Sequence, residues 1–173
     1  MFFDEIKIPK QRVAVLIGRK GETKRFIERK THTKIKVSTE GDVSISSEDN
    51  INIFNARPII LSIARGFNPE ISLMLLDESY ILELISMKDY AKNEKAMIRM
   101  RARIIGAQGK AWKMLESLSG VFISVYGKTI GIIGKIDDID IAKRAVEKLL
   151  KGAPHGNVYK YIEMEKKKEL MNR

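Results

Sequence analysis

The chain has 173 residues, 44% of them apolar, with 32 basic against 22 acidic residues and a formal net charge of +10. That length exceeds the commonest single-domain size of roughly 100 to 150 residues, and no run approaches the roughly 18 apolar residues of a membrane span. The absence of cysteine excludes disulfides and thiolate metal sites, and His32 and His155 lie far apart in sequence, so neither a protein-borne metal nor a cofactor is expected. The start Met1-Phe2-Phe3-Asp4-Glu5 lacks the basic onset and apolar stretch of a secretory signal, which makes a cytoplasmic location the expectation.

In chain order, Glu5 to Ile8 alternates and ends at Pro9, which predicts an edge or terminal strand. Gln11 to Ile17 places Val13, Leu16 and Ile17 on one helical face before Gly18 breaks the helix. Glu22 to Thr31 resumes as a second helix, with an acid at the positive end of its dipole and Phe26 and Ile27 as core candidates. Lys34 to Ser38 and Val43 to Ser46 alternate strictly, so Ile35, Val37, Val43 and Ile45 face inward on a hairpin that turns across Thr39-Glu40-Gly41-Asp42. A third helix is expected from about Asn55 to Ala64, because Pro58 fits a first turn but would kink a helix that began earlier. Arg65-Gly66-Phe67-Asn68-Pro69 ends it, and Ile71 to Asp77 reads as a short apolar helix suited to packing against a domain.

The order then starts again. Tyr80 to Met87 reads as a strand, Glu94 to Ile104 and Lys110 to Ser117 as helices, and Val121 to Tyr126 with Thr129 to Ile133 as a hairpin turning at Gly127-Lys128. A helix from about Asp138 to Leu150 follows, with Asp137 or Asp138 as its cap. The Lys- and Glu-rich tail from Tyr159 to Arg173 is expected to be helical at first and frayed at its end.

The two series are copies of one design. Gly18-Arg19-Lys20-Gly21 returns 88 positions later as Gly106-Ala107-Gln108-Gly109, and at that offset Ile17 falls on Ile105, Ile27 on Leu115, Glu28 on Glu116, Ile35 on Ile123 and Val37 on Val125. Solenoid units repeat at roughly 20 to 50 residues, so this longer period describes two small domains.

Charge concentrates on the glycine loops. Lys7 to Lys36 carries 11 basic and 2 acidic residues, and Lys92 to Lys113 carries 7 and 1, whereas Ser38 to Asp89 has 3 basic against 9 acidic. Clustered positive charge of this kind is what a polyanion-binding surface requires, and nucleic acid is the leading partner class.

Element order and loop together resemble the K-homology (KH) domain of type I, in which G-x-x-G joins the first two helices of a β-α-α-β-β-α unit. The fold class expected is α+β: two tandem type I KH domains, each a three-stranded antiparallel sheet packed on three helices. Residues 1–78 form the first domain with a linker helix, 79–155 the second, and 156–173 a partly helical C-terminal extension. The closing segments Ile63-Ala64-Arg65-Gly66-Phe67-Asn68-Pro69-Glu70 and Gly152-Ala153-Pro154-His155-Gly156-Asn157-Val158-Tyr159 look like those of the archaeal two-KH family. That family is similar to the small-subunit assembly factor called partner of Nob (Dim family) and is related to the Krr-type factor. This resemblance implies binding of small-subunit ribosomal RNA near its 3′ end during pre-rRNA processing. The partners it implies are the Nob-type endonuclease or a translation initiation factor.

The loop chemistry supports single-stranded RNA. At Gly18 and Gly21 a nucleic-acid backbone can approach the peptide, and the N–H groups that open the next helix point at phosphate oxygens. In KH domains such a loop clamps about four nucleotides. Arg19, Lys20, Lys24 and Arg25 add charge, and Val13, Ile17 and Ile35 are assigned to an apolar floor under the bases, with Val37 either floor or core. In the second loop Ala107 and Gln108 offer no charge, so contacts there fall to the backbone of Gly106 and Gly109, to Lys110, and to Arg101 and Arg103. Ile105 and Ile123, with Ile104 and Val125, are the corresponding floor. Trp112 is read as either a core residue or a stacking platform.

Catalysis finds no motif. Neither loop has the G-x-x-x-x-G-K-[ST] spacing of a P-loop, and Asp137-Asp138-Asp140 reads either as a helix start or as a metal cluster. The non-enzymatic alternatives are an RNA-binding assembly factor and a KH scaffold or adaptor that docks a protein partner, in RNA decay or translation initiation, with RNA binding secondary.

Overall fold

In the computed structural model, which describes residues 1–173, strand β1 runs Phe2–Lys7, starting three residues before the expected Glu5 to Ile8 because Phe2 and Phe3 also pair with β3. Helices α1 (Lys10–Ile17) and α2 (Glu22–Thr31) flank the first glycine loop, and strands β2 (Lys34–Val37) and β3 (Asp42–Ser47) form the hairpin. Helix α3 (Asn50–Ala64), a single turn α4 (Pro69–Ser72) and a 3-10 turn at Leu73–Leu76 complete the first of two compact units, Met1–Tyr80. Its antiparallel sheet has the order β1-β3-β2, with Ile6 opposite Val43 and Ile35 opposite Ile45. Those four side chains are buried with Leu16, Ile27, Ile53, Ile59, Ile60 and Ile63. Burial of each such side chain contributes about 1.5 to 3 kcal/mol. Leu73 and Leu75 of the 3-10 turn pack on the same core, so the segment after α3 is part of the unit.

Helix α3 begins at Asn50, five residues before the expected start, with Pro58 inside it. Two features carry it across the proline. The Asp49 carboxylate caps the helix by accepting from Ile51 N–H at 3.0 Å, and Ile53 and Ala56 extend the buried face of Ile59, Ile60 and Ile63 toward the N-terminus. That burial offsets the roughly 3 kcal/mol cost of an interior proline.

The second unit, Ile81–Arg173, repeats the plan. Strand β4 (Tyr80–Ser86), helices α5 (Glu94–Ile105) and α6 (Lys110–Ser119), strands β5 (Phe122–Tyr126) and β6 (Thr129–Lys135), and helix α7 (Ile136–Leu150) follow in order. The sheet order is β4-β6-β5, with Ile123 opposite Ile132. Two expectations are corrected here. Asp137 and Asp138 do not cap α7: Lys135 holds the cap position, both acids lie in the first turn, and Asp138 accepts a hydrogen bond from Lys166. The terminal helix α8 starts at His155 rather than Tyr159 and runs to Met171, because Val158 and Ile162 are buried against the core of this unit.

The repeat is kept in detail. Thr31 Oγ1 donates to Ile27 O at 2.7 Å, and Ser119 Oγ, 88 positions on, donates to Leu115 O. The residue that closes α2 is His32 at φ +54, whereas Gly120 closes α6 at φ +75. A left-handed C-terminal position favours glycine. His32→Gly is therefore expected to stabilise the protein by about 0.5 to 1 kcal/mol, seen as a higher denaturant midpoint, whereas Gly120→Ala should lower it.

Candidate nucleic-acid interface

The two glycine loops have the same backbone. Gly18 and Gly106 both lie at φ +73, with ψ 178 and 177; Lys20 and Gln108 follow at φ 52 and 56, each with ψ 27; Gly21 and Gly109 lie at φ 77 and 74. The conformation of Gly18 and Gly106 is open essentially to glycine alone. Space forbids a side chain as well: a Cβ would fall 2.2 Å from Thr23 Oγ1 and 2.9 Å from Thr23 N at Gly18, and 2.7 Å from Ala111 Cβ and 2.8 Å from Ala111 N at Gly106. At Gly109 a Cβ would meet nothing within 4 Å, so only the left-handed φ selects glycine there. Neither α2 nor α6 carries a side-chain cap. The opening N–H groups, of Glu22 and Lys110, donate to Arg19 O and Ala107 O within the loop, and the turn that follows presents the positive end of the helix dipole, where an anion is favoured.

Charge separates the loops. Arg19 and Lys20 are exposed at the first loop and take part in no ion pair. Arg25 reaches back over it, since a Cβ on Gly21 would lie 3.2 Å from Arg25 Nη1. Lys24 is turned inward, donating to Glu28 Oε1 at 3.2 Å and Ile35 O at 3.1 Å, while Glu28 accepts from Ile35 N–H at 2.7 Å. It ties α2 to β2 and is half-buried, which occupies an ammonium that sequence reasoning assigned to phosphate. In the second unit Ala107 and Gln108 are exposed and uncharged; the cations nearby are Lys110, at the start of α6, and Lys113, which stands where Arg25 does and was missed in the sequence.

Trp112 takes the place of Lys24. It packs against the core of the second unit, so the core reading holds, and its buried indole N–H leans toward Glu116 without reaching hydrogen-bond geometry. Glu116 accepts from Ile123 N–H at 2.9 Å, as Glu28 does from Ile35, but has no lysine beside it. Burial raises its carboxyl above the ordinary value, opposed by the Ile123 hydrogen bond and by the nearby Trp112 indole. A raised folded-state value means that stability is fully present below the unfolded value and is lost as pH rises through the folded one. Glu116→Gln keeps an acceptor for Ile123 and removes the charge, so it is expected to flatten the decline in stability above about pH 4.5; urea midpoints across that range check it.

The floor residues divide. Val13 and Ile17 on α1 and Ile105 on α5 are partly exposed beside the loops, but Ile35 and Ile123 are 1% and 3% exposed and belong to the core beneath. Arg101 is partly exposed. Arg103 is committed elsewhere: its guanidinium donates to Leu149 O at 3.3 Å and to Ala153 O. Arg12 does the same in the first unit, donating to Ile63 O at 2.7 Å and Phe67 O at 2.8 Å. Each arginine satisfies carbonyls at the end of the last KH helix and fastens it to the helix that leads into the loop. His155 Nε2 adds a 2.8 Å contact to Arg103 O. The two closing segments singled out in the sequence are thus anchors of the loop stems. The sequence did not disclose this pairing because Arg12 and Arg103 lie 91 positions apart, off the 88-residue repeat. Of the acidic trio, Asp138 pairs with Lys166 and Asp140 with Arg144, and no three His, Asp or Glu side chains converge as metal ligands.

Two family models match: a eukaryotic type KH-domain (KH-domain type I) over residues 81–167 and a KH domain over residues 4–61. A KH domain-containing protein of Methanocaldococcus jannaschii is 44% identical over 167 residues, covering 94% of this chain and 74% of the relative. The pre-rRNA-processing protein pno1 of Aspergillus fumigatus is 33% identical over 98 residues, which is 54% of this chain and 38% of that protein. Among solved structures, Dim2p in an a/eIF2alpha-aDim2p-rRNA complex from Pyrococcus horikoshii OT3 superposes with a TM-score of 0.89 at 47% identity, covering 96% of this chain and 95% of that one.

Proposed function

The chain belongs to the two-KH-domain family of Pno1 and Dim2p, and from that premise we propose that it is a single-stranded RNA-binding factor of pre-rRNA processing. It holds small-subunit rRNA near the 3′ end on its two G-x-x-G loops, in the cytoplasm and without catalysis of its own. The observation that carries this reading is the loop pair: two identical backbones, each with uncapped helix N–H groups, one with free Arg19 and Lys20 at its tip. Phosphates sit on those N–H groups and cations, and bases lie toward Val13 and Ile17 or toward Ile105. The rRNA in the complex of the Pyrococcus relative and the processing role in the name of the Aspergillus one support the RNA class. The initiation-factor subunit in that same complex supports a translation factor as protein partner, and a Nob-type endonuclease is the second candidate.

A specific feature favours a second reading for the second unit alone. Its loop tip is Ala107-Gln108, and an uncharged tip suits a protein surface as well as a phosphate. Crosslinking of the protein to total cellular RNA, followed by sequencing, separates the readings. Reads are expected at the 3′ end of small-subunit rRNA and are expected to vanish in Arg19→Asp/Lys20→Asp, whose two positions are exposed. Survival of the same reads in Gly106→Asp/Gly109→Asp would assign the second loop to a protein; diffuse reads indifferent to both variants would sink the RNA reading.

A further inference from the structure

The second unit lacks charge at its loop tip but gathers it one helix away. Arg144 and Lys148 on α7, with Lys151 just past its end, line a shallow hollow against Tyr161 of α8. Lys148 Nζ stands 4.7 Å from the centre of the Tyr161 ring. Arg144 lies against the Tyr161 hydroxyl and pairs with Asp140 at 3.2 Å, which holds the guanidinium in place. Lys151 is exposed and has no ion-pair partner. The one acid in the lining, Glu147, is turned to the Tyr90 hydroxyl.

The hollow is close to the loop. Arg103, three residues before Gly106, donates to Leu149 O and Ala153 O, and those carbonyls bracket Lys151. The last turn of α7 therefore lies beside the stem of the glycine loop. The first unit has no such cluster. Setting Ile63 against Leu149, since both carbonyls accept from the stem arginine, puts Pro58, Ser62 and Arg65 at the places of Arg144, Lys148 and Lys151, and Leu75 at that of Tyr161. Cations in a last helical turn complement the dipole, which accounts for Lys148 and Lys151 but not for Arg144, two turns from the end, or for the tyrosine beside it.

We propose that Arg144, Lys148 and Lys151, gathered around Tyr161 at the junction of α7 and α8, form a second phosphate-binding site that carries bound single-stranded RNA past the Gly106–Gly109 loop. The unit with the neutral loop tip draws its charge from the neighbouring helix, so its RNA track is longer than that of the first unit. This inference rests on the RNA-binding reading above.

The test uses the full chain and two RNA probes from the 3′ end of small-subunit rRNA, one of about 5 nucleotides, near the four held by a KH loop, and one of about 12. Arg144→Ala/Lys151→Ala is expected to lower affinity for the longer probe about tenfold and to reduce its salt slope by about 1.4, at roughly 0.7 per lost phosphate contact. Affinity for the shorter probe should be unchanged. Both positions are on the surface, and an unchanged melting curve separates lost binding from lost fold. Equal affinity and slope on the longer probe, with Arg19→Ala/Lys20→Ala still weakening it, would overturn this site alone and leave the RNA reading standing. No binding of either probe by the wild-type protein would overturn both. Retained RNA binding with loss of an oligoglutamate peptide would assign the hollow to an acidic protein segment and overturn it.

Discussion

Replacing Arg19 and Lys20 together by alanine is expected to weaken single-stranded RNA binding about thirtyfold. Two exposed charge contacts of roughly 1 kcal/mol each give about 2 kcal/mol, and each 1.4 kcal/mol is a factor of ten. The salt dependence should change in step. About four phosphates held by one loop give a log–log slope near −3, at roughly −0.7 per phosphate, and losing two contacts brings it near −1.5. The fold is not at stake, because both side chains are exposed and alanine at Lys20 meets the same left-handed backbone, φ 52, that lysine already tolerates. Titration of a labelled RNA at several salt concentrations reads both numbers. An unchanged slope would mean that the loop's cations do not touch phosphate, and the interaction would then have to be sought in protein partners.

Gly106→Ala is expected to destabilise the protein by about 3 kcal/mol, with Gly109→Ala costing only about 1 kcal/mol. The two glycines share a loop and differ in their surroundings. A methyl group at Gly106 enters a backbone region closed to side chains and collides with Ala111 Cβ and N at 2.7 and 2.8 Å, atoms of α6 that cannot move without moving the helix. At Gly109 only the left-handed φ of +74 resists, and the space is open. For a unit of this size 3 kcal/mol corresponds to roughly 15 °C in melting temperature. Thermal unfolding of the two variants side by side gives the comparison, and equal shifts would contradict the steric account. The same ranking is expected for Gly18 over Gly21, where Thr23 is the obstacle and a flexible Arg25 side chain the lesser one.

Period-two and period-3.6 patterns located every strand and KH helix, because inward residues such as Ile35, Val43 and Ile45 must share one face of a sheet and Leu16 and Ile27 one face of a helix. The repeat then aligned the two loops. What stayed hidden were interactions between segments distant in sequence. Pro58 argued for a late start to α3, and only the buried Ile53 and Ala56, together with the Asp49 cap, show why the helix begins sooner. Lys24 and Arg103 looked like free cations because charge can be counted in a sequence whereas carbonyl partners such as Ile35 O and Leu149 O cannot. Alternation gives Ile35 and Ile123 their inward face, but not the depth at which that face leaves a groove and enters the core.

The near coincidence of Lys20 and Gln108 in backbone angle, with no likeness in side chain, bears on how such a protein diverges after duplication. Two unlike inner dipeptides take nearly the same turn between the same glycines, so the tip can be rewritten residue by residue with the turn kept. One ancestral module could in this way yield a polycation tip in one copy and a neutral tip in the other. Selection would then act on ligand preference alone, with the architecture held constant.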